Sequence, residues 1–264
     1  MTPKPIFETR FEDLRTSIYQ TNDETGMAAA EEATDLLERT IRQKNEANII
    51  LATGNSQITF LKALRTASIE WSKVNIFHMD EYIGLDLAHP ASFPLFLKMH
   101  IVNYIHPKTF FPIPPTTQQN AQEVCNDYEM LLRSHPVDLC ALGIGENGHL
   151  AFNDPPFADF KDTRLVKIIK LDDASRRQQV GEGHFKTIYE VPTHAISLTI
   201  PALLAAKHVL ALVPEARKAE AVYRTLKGPI NEECPGSILR QTPQAHLFLD
   251  IDSAAKILPQ GFGV

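Results

Sequence analysis

Five short runs of this chain are apolar almost from end to end: Asn48-Ile49-Ile50-Leu51-Ala52, Val74 to Met79, Val137 to Leu142, His208 to Val213, and Ala245 to Leu249. A strand with one wet face alternates polar and apolar side chains. A strand apolar at successive positions is buried on both faces and needs helices above and below it. The segments between the runs have helical spacing. Asp23 to Lys44 places Ala28, Ala29, Ala33, Leu36, Leu37 and Ile41 on one stripe, with acidic residues early and Arg42 and Lys44 late, as the helix dipole prefers. Further helices are predicted around Phe60 to Leu64, Ser92 to Tyr104, Asn120 to Arg133, Asp172 to Val180, Pro201 to Ala206 and Glu215 to Lys227. Arg164 to Lys170 and Ala195 to Thr199 read as additional strands, the start of the chain as irregular, and the proline-rich stretch Pro107 to Pro115 as loop. Strands alternating with helices imply an α/β fold, a mostly parallel sheet with helices on both faces. With no internal repeat, low-complexity stretch or long linker, residues 1–264 are expected to form a single domain, its core at about residues 25–258.

In such sheets ligands bind beyond the carboxyl ends of the strands, and polar clusters follow several of the apolar runs. Thr53-Gly54-Asn55-Ser56-Gln57 lies between a strand and a helix, where backbone N–H groups suit a phosphate; an ordinary strand–helix turn fits as well. Asp80-Glu81-Tyr82 follows the second run. A partly desolvated Asp80 is a stronger base, able to shuttle a proton between neighbouring sugar carbons; the alternative is that these carboxylates cap the next turn. The third run feeds Gly143-Ile144-Gly145-Glu146-Asn147-Gly148-His149, with Asp154 and Pro155 beyond. Glycines there permit positive φ and close approach of a ligand. His149 is suited to moving a proton to or from a sugar ring oxygen, with Asp154 orienting it, unless the loop is simply a corner with a surface histidine. Lys218 stands near a helix start, where a cation gains nothing from the dipole. It makes sense there as a phosphate ligand, as do Arg176 and Arg177, although all three also fit a solvated surface.

Composition narrows the class. A net charge of −6, with no dense Lys/Arg stripe, argues against a nucleic-acid partner. The hydrophobic fraction of 44% and charged fraction of 22% belong to an ordinary globular protein. Cys125, Cys140 and Cys234 are too few and scattered for a disulfide framework or a zinc site, so they are read as core residues in a reducing compartment. With no apolar signal segment and no apolar run near ~18 residues, no membrane role and a cytoplasmic location are expected. No Ser-centred nucleophile elbow, full GxGxxG or HExxH is present, which points to an enzyme without metal or cofactor, acting on a small sugar phosphate.

Two motifs then resemble one family. Met79-Asp80-Glu81-Tyr82-Ile83-Gly84-Leu85, with His89-Pro90 and Ser92-Phe93, is similar to the signature of glucosamine-6-phosphate deaminases. Gly143 to Pro155 resembles that family's ring-opening loop, and Thr163-Arg164, Val191-Pro192 with Ala195, and Arg217-Lys218-Ala219 match in order, so the likeness runs over roughly residues 25–258. The resemblance implies a modified Rossmann-like fold and conversion of glucosamine 6-phosphate and water to fructose 6-phosphate and ammonia. By position it makes Asp80 the base between C2 and C1, and His149 the ring-opening residue supported by Asn147 and Asp154. Thr53, Gly54, Asn55, Ser56 and Lys218 become the phosphate site. Family members differ in oligomeric state, so a homo-oligomer is compatible.

The departures are specific. Asn55 stands where the family often has a second glycine, and Asn147 where some members have aspartate. Asp154 stands where glutamate is usual, a shortening that would retract the carboxylate by ~1.5 Å. The segment Asp172 to Tyr189 departs from the family pattern, leaving Arg176 and Arg177 both open as its phosphate-binding arginine. The related 6-phosphogluconolactonases typically carry Arg at the position of Tyr82 and Ser-Leu-Phe-Pro where this chain has Phe152-Asn153-Asp154-Pro155, which favours the deaminase. A sensor that binds sugar phosphate without turnover, or an enzyme for another hexosamine phosphate, are the other readings.

Overall fold

Neighbouring residues of the apolar runs point to opposite sides of one sheet, and two separate cores result. The computed structural model describes residues 3–181 and 183–258. Its main sheet has eight strands in the order β1-β2-β11-β10-β7-β3-β4-β6, formed by β1 (Phe7–Phe11), β2 (Leu14–Tyr19), β3 (Ala47–Leu51), β4 (Val74–His78), β6 (Thr109–Phe111), β7 (Leu139–Leu142), β10 (His208–Leu212) and β11 (Ala245–Asp250). Every pairing in it is parallel except the β1–β2 hairpin. Ile49, Leu51, Leu139, Ala141, Leu210 and Leu212 pack on one side against α1 (Asn22–Lys44) and α2 (Ile58–Leu64). Ile50, Cys140, Leu142, Val209, Ala211 and Leu247 pack on the other against α5 (Ala121–Ser134), α7 (Ile200–Leu204) and α8 (Ala219–Lys227). Each fully buried Leu, Ile or Phe contributes roughly 1.5–3 kcal/mol, so covering both faces is what makes unalternating strands stable here.

The long helix starts as its sequence suggests. Thr21 Oγ1 accepts from Glu24 N at 3.2 Å, while the Glu24 carboxylate reaches back to Gln20 N at 3.0 Å. It ends at Asn45 in the left-handed region, φ 62°. The helical stretch after Ser92 is less regular than predicted: α3 (Phe93–Leu97) and α4 (Asn103–Ile105) are joined by one wide turn, Lys98–Val102.

Three expectations are corrected. The start of the chain is the hairpin β1–β2, and β2 pairs with β11 as an integral part of the sheet. The proline-rich stretch contributes the edge strand β6. The strands foreseen at Arg164 to Lys170 and Ala195 to Thr199 are β8 (Val166–Lys170) and β9 (His194–Leu198), and they leave the parallel sheet. Together with β5 (Asp80–Tyr82) they form a second, antiparallel sheet in the order β5-β9-β8. β8 is only partly covered, with Val166 and Ile169 buried and Ile168 and Lys170 exposed, unlike the fully buried strands of the parallel sheet.

The chain runs outward through β3, β4 and β6, then returns to place β7 on the other side of β3. That reversal is the switch point at which sheets of this kind open a crevice.

Candidate active site

At the switch point the ends of β3, β4, β7 and β10 surround a solvent-open cleft. Thr53, Gly54, Asn55 and Ser56 line it from β3, Asp80 from β4, Gly143, Gly145 and His149 from β7, and Lys218 from beyond β10. The four clusters separated in sequence thus share one cavity. Asn147 and Asp154 lie behind His149, bonded to each other and to it. Among the described residues no group of three or more His, Cys, Asp or Glu is placed to hold a metal ion.

Asp80 is held by its neighbours on the chain. Beneath it, the buried His78 ring accepts from Ile113 N at 2.7 Å through Nε2, and Tyr128 OH donates to the His78 carbonyl at 3.1 Å. Burial pushes the His78 imidazole down to about 3, so it stays neutral. Asp80 itself is 7% exposed. Burial, with the adjacent Glu81 charge adding to it, raises the Asp80 carboxyl well above the ordinary carboxylate range. Glu81 turns the other way and accepts from Tyr82 N, Ser92 Oγ and Phe93 N at 2.7, 3.0 and 3.1 Å. Burial lifts it to about 7, against those hydrogen bonds. The capping role considered for this pair is therefore Glu81's, at the start of α3, while Asp80 faces the cleft.

Around His149 one carboxylate oxygen organises the loop. Asp154 Oδ1 lies 3.0 Å from His149 Nδ1, accepts from Asn147 Nδ2 at 2.9 Å, and accepts from Ser175 Oγ at 2.5 Å. Asn147 Oδ1 in turn accepts from His149 N at 3.0 Å. Burial of Asp154 works to raise its pKa, but the hydrogen bond and charge of His149, with the bonds from Asn147 and Ser175, outweigh it and hold the carboxyl below its usual value. An ionised Asp154 needs a donor at 3.0 Å, which assigns the neutral imidazole's proton to Nδ1 and leaves Nε2 as an acceptor. The retraction expected from the shorter aspartate does not separate the pair.

The glycines of this loop serve two different ends, positive φ and room. Of those before His149, Gly148 alone has positive φ, at 93°. Gly145 is required for room, since a β-carbon there would fall 2.1 Å from the His149 ring. The loop is then tied to the second sheet: Phe152 N donates to Ser197 Oγ at 3.2 Å, and Asn153 Nδ2 donates to Leu150 O and Leu198 O, each at 2.8 Å.

The phosphate-suited loop turns at Gly54, φ 101°. It is pinned by Gln57, whose Nε2 donates to Ser56 Oγ at 3.1 Å and to Leu212 O at 3.4 Å. Lys218, 4% exposed, enters the cleft from the short turn before α8. Arg176 is committed elsewhere, donating to Ile188 O and Val191 O at 2.7 and 3.1 Å. Arg177 lines a neighbouring groove with Arg217 and Arg224. Neither arginine lines the cleft. Sequence reasoning missed four residues of α6 (Asp173–Gly181) and the turn after it: Ser175 at the Asp154 carboxylate, and Gln178, Gln179 and His184 on the cleft wall. The signal was the spacing of Ser175, Gln178 and Gln179, which places them on one helix face.

A mostly parallel, Rossmann-like α/β sheet with a His–Asp pair, a buried carboxylate, a glycine-turned loop and a lysine gathered at its switch point defines the class. Within it, the sequence profile of the glucosamine-6-phosphate isomerases/6-phosphogluconolactonase matches residues 20–248, and the chain belongs to that family. It is 34% identical to a glucosamine-6-phosphate deaminase of Leuconostoc citreum over 208 residues, 78% of this chain and 86% of the relative. Among solved structures, a monomeric glucosamine-6-phosphate deaminase superposes with a TM-score of 0.83 at 27% identity, covering 91% of this chain and 99% of the other. A putative 6-phosphogluconolactonase from Neisseria gonorrhoeae gives 0.72 at 21% identity over 89% and 98%, a likeness of fold.

Proposed function

We propose that this protein is a glucosamine-6-phosphate deaminase, converting glucosamine 6-phosphate and water to fructose 6-phosphate and ammonia as a single cytoplasmic domain. The observation that carries this reading is that His149, whose Nδ1 is paired with a buried, ionised Asp154 behind it, shares one cleft with a desolvated Asp80. Thr53, Gly54, Asn55 and Ser56 receive the phosphate on their backbone N–H groups and hydroxyls, with Lys218 as its counter-charge.

His149 Nε2 takes the proton of the anomeric hydroxyl and returns it to the ring oxygen, which opens the sugar to its aldehyde. Asp154 stabilises the imidazolium in between, and Asn147 holds both partners in place. Asp80 then removes the C2 proton. The electron pair forms the C1–C2 double bond, and the aldehyde oxygen takes a proton from the substrate's own C2 ammonium group, giving an enolamine. Asp80 returns its proton to C1, leaving an iminium at C2. Water adds there and ammonia leaves, giving the ketose.

A base starting in a desolvated site is well matched to a weakly acidic C–H bond, and its raised pKa means that kcat/KM increases with pH until Asp80 is ionised. Tyr82 lies buried against Phe93, Phe152 and Phe185, with ring centroids 5.1, 5.3 and 5.5 Å away, surroundings that favour an aromatic residue over the lactonase arginine.

Incubation of the pure protein with glucosamine 6-phosphate, following ammonia and fructose 6-phosphate, is the test. Turnover supports the proposal. Lactone hydrolysis without deamination would replace it with the hydrolase, and hexose-phosphate binding with neither reaction would replace it with the sensor. Asp80→Asn should abolish solvent hydrogen exchange at C2; retained exchange removes Asp80 from the proton transfer.

A further inference from the structure

Ser175 is 2% exposed, and its hydroxyl touches both members of the pair opposite. Oγ is 2.5 Å from Asp154 Oδ1 and 3.2 Å from His149 Nδ1. The other carboxylate oxygen, Asp154 Oδ2, is buried with no hydrogen-bond partner among the described residues. The bonds from His149, Asn147 and Ser175 therefore all converge on Oδ1, and they fix which oxygen faces the imidazole. Asn147 belongs to the same loop as Asp154, whereas Ser175 comes from α6. On that helix Gln178 and Gln179, three and four residues on, line the cleft, and the buried Gln179 Oε1 has no partner among the described residues. One face of one helix thus carries the contact to the catalytic pair and two side chains presented to the ligand.

Resting on the deaminase reading, we infer that Ser175 is a positioning residue through which α6 couples the seating of the sugar phosphate to the His149–Asp154 pair. A ligand that engages Gln178 and Gln179 sets the height of α6. Ser175 transmits that setting as the orientation of the carboxylate and hence of the imidazole. Asn147 holds the pair from within its own loop, and Ser175 is the contact that reaches it from α6.

Steady-state deamination by Ser175→Ala tests this, beside a binding measurement with the ring-opened alditol of glucosamine 6-phosphate, which reports a folded cleft without needing ring opening. Losing a hydrogen bond to an ionised group should lower kcat by about tenfold or more, with KM and the alditol Kd within about twofold of the parent. Ser175→Thr, which keeps the hydroxyl, should restore most of kcat, and Ser175→Cys, with its weak donor, should behave as the alanine variant does. Gln179→Ala should lower kcat in the parent and leave kcat unchanged in Ser175→Ala. The inference is overturned by a folded Ser175→Ala with parental kcat, by failure of threonine to rescue a variant that still binds the alditol, or by an equal proportional effect of Gln179→Ala in both backgrounds. Absence of deamination in the parent protein would instead overturn the deaminase reading.

Discussion

Replacing Gly145 by alanine asks whether His149 works from the position in which the loop holds it. The added β-carbon would lie 2.1 Å from His149 Cε1, 2.2 Å from Nε2 and 2.4 Å from Nδ1, where ordinary contact begins near 3.4 Å. The ring must therefore retreat by about 1.3 Å or swing aside, since van der Waals repulsion at such distances is steep. The backbone is no obstacle, because Gly145 is not among the positive-φ glycines. At a compatible φ, glycine to alanine narrows the unfolded ensemble and adds about 0.4–1 kcal/mol of stability, which offsets part of the crowding. The Nδ1 to Asp154 Oδ1 separation is 3.0 Å, and a ring displaced by this much no longer keeps the present hydrogen-bond geometry. A 1 Å error in placing a catalytic group costs on the order of 10²-fold in rate, or about 2.7 kcal/mol in the barrier. The expected outcome is a folded protein whose kcat on cyclic glucosamine 6-phosphate falls about a hundredfold, with the ring-opened alditol bound as in the parent. Kinetics of ammonia release, alditol titration and denaturant unfolding make the measurement. A folded Gly145→Ala variant within about threefold of the parental kcat would refute the reasoning, because the imidazole would then act from a place that this geometry does not provide.

Three further outcomes follow from the same contacts. Asp154→Glu, which restores the residue usual in the family, inserts a methylene at a fully buried side chain and should cost about 1–3 kcal/mol by overpacking without raising kcat; a kcat above the parent's would show that the aspartate is too short. Lys218→Met should raise KM for glucosamine 6-phosphate more than tenfold while kcat changes less, and an unaltered KM would remove Lys218 from the phosphate site. Glu81, with its pKa raised from 4.5 to about 7, keeps its proton in the folded state over a range in which the unfolded chain releases it, so its contribution to stability is lost as pH rises from 4.5 through 7. Relative to the parent, Glu81→Gln should therefore gain about 3 kcal/mol between those limits by urea denaturation; a pH-independent difference would show that Glu81 does not titrate as described.

The parts of the fold legible in the sequence are those where burial is symmetric. Ile49 to Leu51 and Leu139 to Leu142 are apolar at every position because helices cover both faces of the sheet there. β1 escaped notice because it is a half-wet edge strand, its Phe7, Thr9 and Phe11 alternating with charged residues among nearby prolines. The partner of a strand is written less plainly still: nothing in Asp80-Glu81-Tyr82 announces that it pairs with Ala195 to Ser197. At the site, residues that emerge from strand ends were found, since topology alone brings Thr53, Asp80, Gly143 and Lys218 to one edge. Ser175 was hidden because a polar helix face turned to a cleft has the composition of one turned to water. Arg176 drew attention by its charge, yet its guanidinium is spent on the carbonyls of Ile188 and Val191.

The second sheet ties together parts of the cleft that the parallel scaffold alone does not. Asp80 pairs with Ser197, and Ser197 Oγ accepts from Phe152 N in the His149 loop, while Asn153 of that loop donates to Leu198 O. Asp80 and the His149 loop are thus referenced to the same strand, β9. Successive residues of a strand face opposite ways, so a slip of β5 by one residue would turn Asp80 away from the cleft and bring Glu81 into it. The hydrogen bonds of Glu81 to Tyr82 N, Ser92 and Phe93 N oppose that slip, because moving it would leave the start of α3 without its acceptor. Glu81 thereby fixes the face of its neighbour, and the adjacent acidic pair divides in two: one holds the register, the other faces the cleft.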